Sequence, residues 1–377
     1  MPLFSASALY SPGGWLRDHV LEVSADGRVE ALRPRRATDR PQVHPGCLIP
    51  GWVNAHCHLE LSALRGDIPE GTGMTGFIGR LFRARAGYAE AALSRAAQQA
   101  LQAMADRGTV GLGDISNLPV SLAAKQATPA VKTHTFVETL GLATRQAEAR
   151  LAQAQALAAQ CAQAGLAYSL TPHAPYSVSA ELLRRLYALA EGPLSLHLLE
   201  STEEVDLFET GRGPFARFYA ELDLPYERFA APDALQHAIA DLPAEARMLF
   251  VHNVELRPPQ LRSLVAGFPH AWFVLCPRAN WYIHRRLPPV PAFAAVTDRF
   301  CLGTDSLASN YSLDLGEEVA YLLRAFPQLD LHRVVRWATT HGAQALGLGA
   351  HLGAFQVGTR PGVLHWDTDS MQAQRLG

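Results

Sequence analysis

Lysine is almost missing from this 377-residue chain: Lys125 and Lys132 are the only two among 33 basic residues. That scarcity leaves few candidates for a carboxylated lysine bridging two metal ions. Cysteine is sparse as well. Cys47, Cys57, Cys161, Cys276 and Cys301 are odd in number and include no CxxC pair, which excludes a disulfide framework and a zinc knuckle. Four of them lie in or beside apolar segments, where a thiol acts as a small buried hydrophobe. No apolar run reaches 18 residues, so no membrane-spanning helix is expected. The start, Met1 to Trp15, lacks a basic stretch leading into an apolar one, so no signal peptide is expected and the cytoplasm is the predicted compartment. Excess charge is also absent. With a formal net charge of −2 and no acidic or basic run, neither nucleic acid nor a membrane surface is an expected partner.

What the chain does have is apolar residues, 48% of the total, enough for a large core. Residues 88–107 and 145–164 are rich in alanine, with apolar positions three and four apart, and read as helices. Short β-branched and apolar runs alternate with such patterns: Cys47–His58, Thr109–Ser116, Val131–Thr139, Ala167–Pro175, Leu194–Glu200, Met248–His252, Trp272–Cys276 and Phe300–Asp305. Helical patterns follow at Ser179–Leu189, Leu313–Phe326 and Leu331–Leu346. Strand–helix alternation predicts an α/β fold with a parallel sheet, and eight units predict a closed (β/α)8 TIM barrel over residues 47–346. A doubly wound open sheet is the alternative. The ends, 1–46 and 347–377, read as short strands (Ala6–Leu9, Val20–Val23, Arg28–Ala31, and a stretch within Leu352–Trp366) that pair into one composite β-sandwich.

Barrel enzymes work where their strands end. The first run ends in His56-Cys57-His58, and residues two apart on a strand face the same side. An isolated pair of this kind is as well explained by two satisfied polar groups. Further runs end in His197, His252 and Asp305, however, and four strand ends carrying metal-ligand residue types are poorly explained by chance. Histidines and a carboxylate around one ion leave a position open for water, whose pKa a divalent metal lowers towards neutrality.

The segment Pro50-Gly51-Trp52-Val53-Asn54-Ala55-His56-Cys57-His58 resembles the first-strand signature of the amidohydrolase superfamily, and His197-Leu198-Leu199-Glu200 and Leu302-Gly303-Thr304-Asp305-Ser306 resemble motifs of its deaminase branch. The resemblance implies His56, His58, His197 and Asp305 as metal ligands, His252 on the water or developing oxyanion, and Glu200 as proton shuttle. Asp305 can also take the water's proton. The alternative role for Glu200 is a helix-start acid, which Glu203 or Glu204 fills better. The fourth run ends in Leu170-Thr171-Pro172-His173 without a lysine, which favours one divalent ion, zinc with iron as the alternative, and deamination over amide-ring opening.

Within the branch, His58-Leu59-Glu60-Leu61-Ser62, His173-Ala174-Pro175-Tyr176-Ser177 and Asp305-Ser306-Leu307-Ala308-Ser309-Asn310 are most similar to aminodeoxyfutalosine deaminases and, more distantly, to adenosylhomocysteine and methylthioadenosine deaminases. That likeness implies a small-molecule substrate, with His173 and Ser309 touching it and a homodimer as the assembly to test. Cys276-Pro277-Arg278-Ala279-Asn280 resembles the branch's CPxSN segment. Arg278 there either clamps a substrate carboxylate or pairs with a loop acid, and Trp281 and Tyr282 either stack on a flat ring or pack as loop core. The chain departs from its relatives at Thr75–Arg83, which lacks their ribose-binding glutamate, and at Gly358–Val363. A chlorohydrolase or amide hydrolase, and a binding protein that has lost activity, are the rival readings.

Overall fold

In the computed structural model, which describes residues 2–224 and 233–376, both chain ends contribute to one seven-stranded sheet. Its strands are β1 (Leu3–Ser11), β2 (Gly14–Leu16), β3 (His19–Val23), β4 (Val29–Pro34) and β5 (Gln42–Ile49) from the start of the chain. The barrel strands follow: β6 (Trp52–Cys57), β7 (Thr109–Ser116), β8 (Lys132–Thr139), β9 (Ala167–Pro172), β10 (Leu194–Leu198), β11 (Met248–His252), β12 (Trp272–Leu275) and β13 (Phe300–Leu302). Then β14 (Leu364–Asp367) and β15 (Gln372–Arg375) return to the end sheet, β14 pairing antiparallel with β5.

One expected strand, Cys47–His58, is two. Pro50 has no N–H to donate, and the backbone turns at Gly51, where a Cβ would lie 2.5 Å from Val110 and 2.8 Å from the Pro361 carbonyl. The segment before the turn joins the end sheet, and the segment after it opens the barrel. The single helix expected over Leu331–Leu346 is also interrupted, by a π-turn at Trp337–His341. Within that turn Thr340 bonds the Tyr10 hydroxyl at 2.7 Å and the Gly353 carbonyl at 2.6 Å, tying the barrel's last helix to the end sheet.

Strands β6 to β9 and β10 to β13 form two four-stranded parallel sheets. Hydrogen bonds at both seams join them. His197 N–H donates to the His173 carbonyl (3.0 Å) between β9 and β10, while the N–H groups of Thr304 and Asp305 donate to the His56 carbonyl (3.0 and 3.1 Å) between β13 and β6. The barrel thus closes through residues that the sequence assigns to the site. Side chains on the inner face stack into a core: Val53, Ala55, Phe136, Leu249, Val251, Val274 and Cys301. Such strands are buried on both faces and read as near-continuous apolar runs. The helix Glu90–Asp106 covers the outside with Leu93, Ala97, Leu101 and Met104, one stripe at helical spacing. All five cysteines are buried and unpaired. Among the described residues no helix is long and apolar enough to cross a membrane.

A charged network stiffens the first strand end. Lys125 Nζ meets Asp114 Oδ2 at 2.6 Å with both side chains fully buried, and Asp114 Oδ1 accepts the Leu59 N–H (2.9 Å), next to His58. The hydroxyls of Ser116 and Ser121 also donate to Asp114 Oδ2. Lys125→Met leaves that carboxylate buried and unpaired, which typically costs about 3–5 kcal/mol. A urea-unfolding loss of that size is expected, and a loss under about 1 kcal/mol would show that the pair does not hold this strand end.

Candidate active site

The polar strand ends converge on one point. His56 Nε2 and His58 Nε2 are 3.2 Å apart, and Asp305 Oδ1 lies 3.5 Å from the first and 3.2 Å from the second. The rings of His197 and His252 complete the wall, each within 6 Å of the His56 ring. Two overlapping sets, His56–His58–Asp305 and His56–His197–His252, each bring their ligand atoms within 4.8 Å of one another, close enough to hold a metal ion.

Hydrogen bonds behind the cluster fix which nitrogens face inward. His197 Nδ1 donates to the His173 carbonyl (2.9 Å), and His252 Nδ1 donates to Asn280 Oδ1 (2.7 Å). His173 Nδ1 meets Ser177 Oγ at 2.7 Å, whose own proton goes to the Ala174 carbonyl. Each ring therefore turns an Nε2 lone pair to the centre. Burial holds His56 down to about 4, and burial with the surrounding imidazoles drives His197 well below the ordinary histidine value. Both are neutral at pH 7, the form that binds a metal. His58 moves the other way, to about 9, because Asp305 outweighs the opposing effect of burial. Lone pairs this close repel unless a cation lies between them, so the donor set fits a divalent ion.

Glu200 stands beside the cluster, buried, with Oε1 3.3 Å from His284 Nε2 and 3.7 Å from His252 Nε2. Burial alone would raise its pKa, but His252 and His284 more than offset this and hold it below the usual range. Its Oε2 receives no hydrogen bond from the described residues. The following turn is held by Glu204, which accepts the N–H groups of Leu199 and Glu200, while Ser201 caps the helix Thr202–Thr210. Glu203 serves a different helix, accepting the N–H groups of Met74 and Thr75 at the start of Gly73–Arg85. Backbones at Leu199, His252, Asn253 and Asp305 are left-handed (φ 45° to 72°). Such conformations are sparse outside glycine and gather where a chain must aim a side chain.

Several expected contacts fall elsewhere. The Arg278 guanidinium is taken by Glu317, in the first turn of the helix Leu315–Ala325, reaches Ser312 Oγ at 3.2 Å and lies over the Tyr311 ring, so it pairs with an acid of the protein. Ser309 is fully buried and donates to Asp305 Oδ2 (2.5 Å), orienting that carboxylate instead of facing a ligand. Tyr282 donates to the Ile68 carbonyl, and Trp281 lies under Arg285 at the surface. His173 does lie in the cluster, its ring 4.6 Å from that of His197. Sequence reasoning passed over His284, at the end of the helix Pro277–His284, and Glu138, at the end of β8. The strand-end rule that found Asp305 would have found Glu138; His284 has no comparable signal.

The model of the amidohydrolase family matches residues 47–374. An aminodeoxyfutalosine deaminase of Deinococcus radiodurans is 31% identical over 348 residues, covering 86% of this chain and 79% of that protein. An adenosine deaminase of Helicobacter pylori is 28% identical, covering 80% and 74%. Among solved structures, Helicobacter pylori aminofutalosine deaminase in complex with methylthio-coformycin superposes with a TM-score of 0.81 at 23% identity, covering 97% of this chain and 91% of that one, a likeness of fold.

Proposed function

The chain belongs to the amidohydrolase family, and from that membership we propose a hydrolytic deaminase of an amino-substituted purine-like ring, aminodeoxyfutalosine being the first candidate. The observation that carries this reading is the Glu200 carboxyl, buried beside His252 with one oxygen unengaged, next to the cluster of His56, His58, His197 and Asp305. Those four residues would hold the ion, zinc with iron as the alternative. When bound, it supplies a hydroxide nucleophile at neutral pH. The two lysines support a single ion: Lys125 is locked against Asp114, and Lys132 is exposed at the start of β8.

Water adds to the ring carbon bearing the amino group, ammonia leaves, and the ring keeps a carbonyl oxygen in its place. Asp305 takes one proton given up by the attacking water. Glu200, ionised at rest, takes the other and delivers it to the neighbouring ring nitrogen, then relays the one held by Asp305 to the departing amine. Both carboxyl groups so return to their starting state, work suited to a positioned carboxyl group. His252, anchored through Asn280, turns its Nε2 lone pair to the attacking water and holds it by accepting one of its hydrogens. His173 steadies the ring's edge, while Ser309 and Arg278 hold the protein side.

As part of the same reading, residues 47–346 are the catalytic barrel, and residues 1–46 with 347–377 form a small composite β-sandwich, with β5 crossing the boundary. The enzyme is proposed as cytoplasmic.

Ammonia release, measured with metal-loaded protein across aminopurine nucleosides, aminopterins and chlorotriazines, tests the proposal. Release from an aminopurine nucleoside is expected. Hydrolysis without ammonia would mean a different hydrolase, and protein that takes up neither zinc nor iron and turns over nothing would be a binding protein on this fold.

A further inference from the structure

The end of β8 holds a carboxylate that neither the metal cluster nor the deamination steps require. Phe136 of β8 is in the inner core of the barrel. Residues two apart on a strand share a face, so Glu138 points into the barrel mouth above it. Its side chain is 96% buried, being only 4% exposed. Oε2 accepts one bond, from the Asn117 side-chain amide (3.1 Å), and that amide also donates to the Glu138 carbonyl (3.0 Å), fixing the carboxylate's orientation. Oε1 faces His197 Nδ1 at 3.8 Å, but that nitrogen's proton already goes to the His173 carbonyl at 2.9 Å. Among the described residues none donates a hydrogen bond to Oε1, and no arginine or lysine pairs with the group. Glu138, His173 and His197 bring polar atoms within 4.8 Å of one another.

A carboxylate oxygen that no protein group engages is open to the donors a ligand brings. Glu138 stands on the Nδ1 side of His197, away from the Nε2 that faces the cluster, where it is placed for a group attached to the reacting ring and not for the ring carbon itself. The segment Thr75–Arg83 offers no carboxylate, and Glu203, which reaches its helix start, is consumed by the N–H groups of Met74 and Thr75. We infer that Glu138, braced by Asn117, accepts hydrogen bonds from the vicinal hydroxyls of a ribonucleoside and sets the enzyme's preference for a ribose-bearing substrate. An ionised carboxylate accepts and never donates, with lone pairs for two hydroxyls at once, which suits a cis-diol. The inference rests on the deaminase reading of the same site and extends it to the sugar.

The test uses adenosine, 2′-deoxyadenosine, 3′-deoxyadenosine and adenine as probes, with the metal-loaded wild-type protein and the variants Glu138→Gln and Glu138→Asp. Metal content and thermal melting of the variants are recorded alongside. Losing charge-assisted hydrogen bonds to hydroxyls should make wild type favour adenosine over the deoxy probes by about 10–100-fold in kcat/KM. Glu138→Gln should lower adenosine kcat/KM by a similar factor, mainly through KM, and leave adenine unchanged. Equal losses on all four probes, or a wild type indifferent to the hydroxyls, would overturn the assignment. Calorimetric binding of the four keeps the two ideas apart. Absent turnover removes the deaminase reading, yet a ribose preference in binding that Glu138→Gln abolishes keeps the assignment; if no probe binds, the assignment falls too.

Discussion

Glu200→Gln is expected to keep its full complement of metal and to lose turnover by about 10²–10⁴-fold, the range that positioned acid–base groups contribute. Glutamine preserves the shape of the side chain and an oxygen that can still face His284 and His252. What it cannot do is take a proton and pass it on. The loss should therefore appear in kcat with little change in KM, because an interaction made only in the transition state is removed. Three outcomes separate the roles open to this residue. Metal loss in the variant would make Glu200 a ligand or a support of the cluster. Retained turnover would transfer the proton work to another group, with His284 the first to examine. A KM effect alone would reduce Glu200 to a substrate contact.

How far the sequence spoke depended on the range of the interactions involved. Strands β7 and β11 begin and end where their apolar runs do, because a strand buried on both faces needs only its own side chains to be recognised. Among the candidate ligands, His56, His58, His197, His252 and Asp305 follow from one rule, a polar residue at the end of such a run, and the structure brings all five together. The rule was silent about partners. Nothing near Arg278 in the sequence points to Glu317, 39 positions on, nor does Ser309 advertise that its hydroxyl turns back to Asp305. His284 lies on a helix whose residues read equally well as packing, and only its approach to Glu200 distinguishes it. The split of Cys47–His58 at Gly51 likewise depends on Val110 and Pro361, which arrive from far along the chain.

His197→Ala should do more damage than any other single change considered, because it is expected to remove the metal and the turnover together. His197 is 4% exposed, so no solvent ligand easily replaces it, and its ring touches those of His56, His58, His173 and His252. Its Nδ1 is held by the His173 carbonyl across the β9–β10 seam, which turns Nε2 to the cluster without further cost when an ion arrives. Alanine leaves His56, His58 and Asp305 as a three-ligand remnant. Ion binding to the folded state stabilises it by an amount set by concentration over affinity, about 2.7 kcal/mol at 100 times Kd. Wild type should consequently melt at a higher temperature with zinc than after chelation, whereas His197→Ala should melt alike in both conditions. Adding zinc to the variant should leave it inactive. Stoichiometric zinc in His197→Ala after dialysis, with the metal-dependent melting shift intact, would show that His197 only lines the site, and the ligand set would then centre on His56, His58 and Asp305, with His252 as the fourth donor.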